Sequence, residues 1–358
     1  MQNNPLYLED IALVAAMDLG YEKLSGKSIL VTGASGLIGS FLTDVIMELN
    51  LTRNLKCHYY ALGRNTEKAK ARFSKYWDNE YFHFISHDMN EPLTEADSSL
   101  PETVHYVLHM ASNTHPLAYA TDPIGTITTN IIGTQYLLEF AVKHHAERFA
   151  FTSSNEVYGE NRGDVEFFDE HYCGYIDCNT MRAGYPESKR CGEALCQAYM
   201  KQKGLSVVIP RLTRSYGPSM LQSDTKAISQ FIRKGVAGED IVLKSAGTQY
   251  YSFTYMADAV SGLLTVLLKG EDGEAYNISD IGSDIMLKDL AALIAEKSGT
   301  KVIFEIPDEL ESSGYSKATK ARLDGSKLSS LGWSAAYDIT AGIERTLAIL
   351  KEEVRGNE

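Results

Sequence analysis

Thr32-Gly33-Ala34-Ser35-Gly36-Leu37-Ile38-Gly39 follows the apolar run Ile29-Leu30-Val31 and leads into Phe41-Leu42-Thr43-Asp44-Val45-Ile46. A short buried strand, a glycine-rich turn and a helix start in that order form a pyrophosphate cradle, because a helix N-terminus presents free N–H donors and partial positive charge. The glycines have separate tasks. Gly33 permits the tight turn, Gly36 lets the backbone approach a ligand, and Gly39 lets helix and strand pack closely. Gly33, Ser35, Gly36, Leu37, Ile38 and Gly39 are thus candidate dinucleotide-binding residues.

Working outward, short β-rich runs recur between helical segments: Tyr59-Tyr60-Ala61-Leu62, Phe82-His83-Phe84-Ile85, His105-Tyr106-Val107-Leu108, Phe149-Ala150-Phe151-Thr152 and Val207-Val208-Ile209. Strands alternating with helices imply right-handed crossovers and a parallel sheet covered on both faces, which predicts an α/β fold with a doubly wound parallel sheet. Apolar residues at helical spacing from Asn130 to Val142, and a Pro-free run from Glu187 to Lys201 broken only by Gly192, supply helices. Beyond residue 210 the pattern loosens into shorter elements, while Ala275-Tyr276-Asn277-Ile278 reads as a late strand returning to the main sheet. The expected organisation is a helical extension over 1–26 and a dinucleotide-binding core over 27–210, with a later contribution near 250–280. A smaller, interleaved substrate lobe covers 211–249 and 281–358.

Composition narrows the function. At 358 residues and 44% hydrophobic content the chain can bury a sizeable core. A net charge of −13 argues against nucleic acid, which needs clustered Lys and Arg. Five cysteines, Cys57, Cys173, Cys178, Cys191 and Cys196, lack the paired spacing of zinc or redox sites and read as reduced thiols in the cytoplasm, with no metal expected. The first 26 residues lack a basic leader and carry Glu9, Asp10 and Asp18, which fits neither a signal peptide nor a membrane span. An amphipathic helix packed on the body or on a second subunit is expected there.

Tyr185-Pro186-Glu187-Ser188-Lys189 places a phenol and an ammonium four residues apart, on one face of a helix. A tyrosine is a poor base at neutral pH, but adjacent positive charge from Lys189 and an oxidised nicotinamide favours its phenolate. In isolation the spacing also fits an ordinary exposed Tyr and Lys. Here it stands downstream of the glycine turn and of the Ser-rich strand end Thr152-Ser153-Ser154-Asn155-Glu156-Val157-Tyr158-Gly159. At the end of the second predicted strand, Ala61-Leu62-Gly63-Arg64-Asn65 carries no acid to bind the ribose of NAD. Arg64 stands where it would accept the 2′-phosphate of NADP, which favours NADP, the alternative being that Arg64 stacks on the adenine of NAD.

These motifs together resemble the extended short-chain dehydrogenase/reductase family, with its Rossmann fold, and within it the NAD(P)-dependent nucleotide-sugar epimerases, dehydratases and decarboxylases. The resemblance runs from Lys27 to about Trp333. It includes Asp88, His109-Met110-Ala111-Ser112, Asn130-x-x-Gly133-Thr134, Tyr216-Gly217-Pro218, Tyr255-x-x-Asp258 and Leu331-Gly332-Trp333. It implies that Ser154 and Tyr185 contact the sugar hydroxyl being oxidised, that Tyr185 takes its proton, and that Lys189 holds the nicotinamide ribose. It further implies that Asp88 holds the adenine, with Met89 in the same site, and that Met110, Ala111 and Ser112 line the cofactor cleft. The cofactor, NADP or NAD, would be tightly held.

Arg182-Ala183-Gly184-Tyr185 with Lys189-Arg190, and Asn113-Thr114-His115-Pro116-Leu117-Ala118-Tyr119, look most like UDP-glucuronate decarboxylases. Dehydratase chemistry needs a carboxylic acid beside a glutamate, and this chain has Asn155 beside Glu156, so Asn155 cannot be a general acid. Glu156 is left to position a water, reprotonate a product or simply bind a nearby donor. Two departures concern the substrate: Arg214 stands where the family usually has Asn before its Tyr-Gly-Pro turn, and Tyr251 stands where it usually has Arg. Arg214 would serve the same phosphates as the missing arginine, or the ligand differs. Asn113, Asn155, Arg182, Arg214 and Tyr251 are candidate substrate residues, as is Arg322 in Ala321-Arg322-Leu323-Asp324, which also reads as a surface ion pair.

The resemblance therefore implies an enzyme that transiently oxidises a sugar hydroxyl at C4, as a decarboxylase or a 4-epimerase. An NADPH-consuming sugar reductase and a non-catalytic dinucleotide-binding regulatory protein are the alternatives. It also implies a homodimer through the helices after the fourth and fifth strands, which carry Ile131, Tyr136, Leu137 and Phe140, and Leu195 and Tyr199.

Overall fold

A computed structural model of the chain describes residues 1–93, 100–114, 121–305 and 319–356. The stretch His115 to Tyr119, part of the decarboxylase-like motif, lies outside the described residues.

Seven strands form the main parallel sheet: β1 (Ser28–Thr32), β2 (His58–Gly63), β3 (Phe82–Ser86), β4 (Tyr106–His109), β5 (Arg148–Phe151), β7 (Val207–Leu212) and β11 (Ala275–Ile278), in the order β11-β7-β5-β4-β1-β2-β3. The short β6 (Ser153–Ser154) pairs with β7. Every residue of β1 is buried because helices cover both faces of the sheet. Alternate side chains serve opposite sides: Ile29 and Val31 belong to one apolar cluster and Leu30 to the other. The late strand Ala275–Ile278 joins the sheet beside β7, and β7 itself runs to Leu212.

The helices α2 (Leu37–Arg53), α3 (Thr66–Arg72), α4 (Pro123–Thr128), α5 (Thr134–Lys143) and α6 (Gly184–Lys203) connect these strands, with a π-helical turn over Thr129–Gly133 between α4 and α5. A Cβ at Gly192 would come within 2.3 Å of Cζ of Phe151, so its absence lets α6 press onto β5. That contact brings the first turns of α6 to the carboxyl ends of the strands. Leu137 and Phe140, two of the apolar residues on the predicted dimer helices, face the core at 0% and 4% exposure. Ile131, Tyr136, Leu195 and Tyr199 are half-buried.

The second group of elements contains β8 (Arg214–Tyr216), α7 (Ala227–Ala237), β9 (Ile241–Leu243), β10 (Tyr250–Tyr255), β12 (Asp284–Met286), α9 (Leu287–Ser298), β13 (Val302–Phe304) and β14 (Lys320–Ala321). β10 is its hub, pairing with β8, β12 and β14. Helix α8 (Met256–Lys269), buried along nearly its whole length, continues straight from β10 and carries the chain back to the main sheet.

The N-terminal extension belongs to the body of the chain. Helix α1 (Pro5–Ala16) buries Tyr7, Ile11 and Val14, and its Asp10 accepts hydrogen bonds from Tyr255 (2.7 Å) and Tyr337 (2.8 Å). The Arg345 guanidinium, on the C-terminal helix Ile339–Gly356, lies 2.8 Å from the same carboxylate. Tyr7 in turn donates to the buried Asp44 of α2, which Arg72 also holds. These donors offset part of the hydration that Asp10 loses, while burial still raises its carboxyl above the ordinary value.

Candidate active site

The chain order reverses direction between β1 and β4, and ligands of open α/β sheets bind beyond the strand ends at such a switch point. A cleft of about 1430 Å³ opens there. Its wall includes Gly33, Ser35, Gly36, Leu37, Ile38, Gly39, Arg64, Asp88, Met89, Met110, Ala111, Ser112, Asn113, Ser154, Asn155, Glu156, Arg182, Tyr185, Lys189, Arg214 and Tyr251. The sequence-predicted residues thus come together, with one exception.

That exception is Arg322. It lies outside the cleft wall, its Nε 2.8 Å from Asp284 and its Nη1 2.8 Å from Glu166, with its guanidinium over the rings of Phe167 and Tyr250. At 8% exposure, with both carboxylates engaged, it is a largely buried structural ion pair rather than a substrate contact.

The glycine turn is built for close approach. Gly33 has φ +70°, and a Cβ there would come within 2.9 Å of the backbone nitrogen of Ala111; at Gly39 a Cβ would come within 2.7 Å of the Ala34 Cα. Helix α2 starts at this turn with no side-chain cap and no acid in its first turn, so its leading N–H groups face the cleft without a competing anion. This donor set and the missing Cβ atoms fit a dinucleotide pyrophosphate.

Beneath the turn, the Thr32 hydroxyl accepts from the backbone N–H groups of Met110 (3.1 Å) and Ala111 (3.0 Å). Both lone pairs being used, its own proton goes to Nδ1 of His109 at 2.8 Å, which fixes the proton of the neutral ring on Nε2. Burial, reinforced by the charge of Lys189, pushes the His109 imidazole down to about 3. In the sequence Thr32 and His109 stand in separate motifs with no spacing that links them. Their pairing across two strands is what holds the glycine turn against the β4 loop.

Tyr185 and Lys189 lie on the first turns of α6, and both are buried. Lys189 donates to the Thr152 carbonyl at 2.9 Å, its ammonium 4.7 Å from the Phe151 ring centre. Burial pushes it down to about 8, with Glu193 and Cys196 working upward. The phenol of Tyr185 departs from expectation. Burial raises it well above its ordinary value, the hydrogen bond with Ser154 lowers it, and Glu156 raises it; the Lys189 charge is not what governs it in the free protein. Desolvation disfavours the phenolate here more than the neighbouring groups favour it.

Ser154 also accepts from the backbone N–H of Glu156 at 3.2 Å, which fixes its hydroxyl at the head of the Asn155–Tyr158 turn. Glu156 is bound by Arg182, whose Nη2 lies 3.2 and 3.3 Å from its two carboxylate oxygens. Asn155 is buried beside them, an amide that offers no acidic proton. At the other end of the cleft, Asp88 is held below the usual carboxylate range, first by the backbone N–H of Asn90. Arg64, exposed at the end of β2, also acts on it. Lys68 on α3, and Lys226 and Lys244 on the far side, line the cleft as well; as isolated lysines they carried no spacing signal. Asn130 of the π-helical turn donates to Ser188 at 2.9 Å, tying that turn to α6 behind Tyr185. Among the described residues no cluster of His, Cys, Asp or Glu suits a metal ion, and no helix is long and apolar enough to cross a membrane.

A doubly wound sheet with a glycine turn at the switch point, and a serine, tyrosine and lysine gathered beside it, defines a dinucleotide-dependent enzyme fold of the short-chain dehydrogenase type. The chain belongs to the NAD dependent epimerase/dehydratase family, whose sequence model matches residues 29–279. It is 31% identical over 330 residues to UDP-glucuronic acid decarboxylase 1 of Xenopus tropicalis, covering 92% of this chain and 73% of that one. It is also 31% identical over 335 residues to UDP-glucuronic acid decarboxylase 5 of Arabidopsis thaliana, covering 92% and 90%. The fold is shared with UDP-glucuronic acid 4-epimerase from Bacillus cereus, solved with UDP-glucuronic acid and NAD, at a TM-score of 0.76, 24% identity, and coverage of 91% and 99%.

Proposed function

We propose that the chain acts on a nucleotide sugar by transient oxidation at C4, and that its best substrate is a nucleotide-linked glucuronate, which it decarboxylates or epimerises at C4. The observation that carries this reading is the convergence of Ser154, Tyr185 and Lys189 with the glycine turn on one cleft that has Asn155, and no carboxylic acid, beside Glu156. Ser154 and Tyr185 hold the C4 hydroxyl, and the Tyr185 oxygen, once ionised beside a positively charged nicotinamide, takes its proton as the C4–H bond breaks. When bound, a nicotinamide would supply the acceptor for the C4 hydride and its donor back to the C4 carbonyl, and Lys189 would hold its ribose. A 4-keto glucuronate is a β-keto acid, so its C5–C6 bond breaks with loss of CO2 and no acid need protonate a leaving hydroxyl. Glu156, fixed by Arg182, is placed to steer a water or return a proton to the product carbon.

Incubation with a panel of nucleotide sugars, followed by mass spectrometry, tests this. A product lighter by CO2, or a 4-epimer of unchanged mass, is expected from a nucleotide glucuronate without net reduction of the cofactor. Stoichiometric cofactor turnover would instead support an NADPH-consuming reductase, and no conversion across the panel would leave the regulatory reading.

NADP is proposed over NAD, on the strength of Gly63 at the end of β2 followed by the exposed Arg64 on the cleft wall. Arg64→Asp is expected to weaken NADP by tenfold or more beyond any loss for NAD, since it puts a repelling charge against the 2′-phosphate. Isothermal titration with both cofactors reads this, and equal losses would show that Arg64 reads no phosphate. A homodimer through the π-helical turn, α5 and α6, with Ile131, Tyr136, Leu195 and Tyr199 at the seam, is proposed as a closed two-fold arrangement. Light scattering at micromolar concentration should give twice the chain mass; a monomer mass refutes the seam. All five cysteines are free, which fits a reducing cytoplasmic location.

A further inference from the structure

The two positions that depart from the family pattern, Arg214 and Tyr251, are in contact. Arg214 leads β8 and Tyr251 lies in β10, and the two strands run parallel with Arg214 in register with Phe253. The guanidinium carbon of Arg214 lies 3.6 Å from the centre of the Tyr251 ring. The ring is 7% exposed and packed in the core, so the surface under the guanidinium is rigid. Nη1 of Arg214 is buried with no hydrogen-bond partner among the described residues, and both side chains line the cleft.

An arginine stacked on a ring spends its face on the aromatic surface and keeps its N–H edge for a ligand. A planar fork of donors suits the paired oxygens of a phosphate or carboxylate, and a plane fixed beforehand loses little entropy on binding. A buried donor without a partner costs free energy that a bound oxyanion recovers. We propose that Tyr251 is a positioning residue that fixes the plane of the Arg214 guanidinium, so that Arg214 anchors an oxyanion of the substrate as a bidentate donor. The inference rests on the proposed reading that a nucleotide sugar occupies this cleft. Diphosphate and uronate carboxylate share the required chemistry.

The test measures UDP affinity by calorimetry, and KM and kcat for the accepted nucleotide sugar, in full-length Arg214→Ala, Arg214→Lys, Tyr251→Leu, Tyr251→Phe and the Arg214→Ala/Tyr251→Leu double variant. Arg214→Lys keeps the charge without the plane and leaves the packed Tyr251 in place, so it reports even if Tyr251→Leu fails to fold. Arg214→Ala, Arg214→Lys and Tyr251→Leu should each weaken binding about tenfold, as loss of a partly desolvated stacked cation implies, with kcat unchanged. Tyr251→Phe should stay within about twofold, because the ring is kept, and Tyr251→Leu should add nothing to Arg214→Ala. Weaker UDP binding assigns the oxyanion to the diphosphate; unchanged UDP binding with a raised KM assigns it to the carboxylate. If Arg214→Ala weakens binding but Arg214→Lys and Tyr251→Leu do not, the platform is wrong and the nucleotide-sugar reading stands. If Arg214→Ala changes neither quantity in an enzyme that turns over a nucleotide sugar, the inference falls alone; if the wild-type chain neither binds UDP nor turns over a nucleotide sugar, the reading beneath it falls.

Discussion

Tyr185→Phe is expected to lower kcat by about 10²–10⁴-fold, the range for removing a positioned acid–base group, while cofactor affinity changes by less than a factor of a few. The ring of Tyr185 is buried in the cleft wall, so phenylalanine keeps the packing and removes only the oxygen that shares a hydrogen bond with Ser154. That oxygen is also the group whose proton affinity burial has raised, so in the free protein it is a neutral phenol at physiological pH. Positive charge from an oxidised nicotinamide is therefore needed for it to act as a base. Stopped-flow or steady-state kinetics, with calorimetry of cofactor binding, checks this; near-wild-type turnover removes Tyr185 from the reaction.

Lys189→Met should cost a comparable factor, about 10²–10³-fold in kcat/KM, and unlike the tyrosine substitution it should also weaken cofactor binding. Methionine keeps an apolar stem in the buried site and loses the ammonium that lies over the Phe151 ring and donates to the Thr152 carbonyl. The pH profile separates charge from packing. Burial holds the Lys189 ammonium down to about 8. Its charge is therefore present below that pH and lost as pH rises through it, and kcat/KM of the wild type should fall on the alkaline side near pH 8. Lys189→Met should lack that descending limb; a variant that retains it shows that another group titrates there.

Much of the main sheet was legible in the sequence because a strand buried on both faces leaves a short, unbroken apolar run, as Ile29-Leu30-Val31 and Val207-Val208-Ile209 do. Helix α6 was legible for the complementary reason, with a long Pro-free stretch whose single glycine turns out to be the place where the helix meets Phe151. The second group of strands was not. β8, β12 and β14 are two or three residues long, too short to show a period, and they exist because β10 gives each of them a partner. The N-terminal helix was expected, but nothing local in the sequence reveals that Asp10 binds Tyr255 and Tyr337, hundreds of positions away.

The site shows the same division. Residues whose role follows from local spacing, the glycine turn and the Tyr185/Lys189 pair, come to the cleft as read. Arg322 does not, because its partners Asp284 and Glu166 are 38 and 156 positions away and only the fold brings them to it. Arg214 and Tyr251 looked like two separate departures, and the pairing of β8 with β10 makes them one contact. The raised phenol of Tyr185 was hidden for a related reason: spacing places Lys189 nearby but says nothing about how much water the fold removes.

The central claim, transient oxidation at C4 by a cofactor that stays bound, is tested most directly with a nucleotide glucuronate carrying deuterium at C4. The product is expected to retain the label at C4, with no labelled cofactor released and no accumulation of reduced nicotinamide. Release of deuterated reduced cofactor in proportion to product, or conversion that leaves the C4–D bond insensitive to the isotope and to Tyr185→Phe alike, would contradict it.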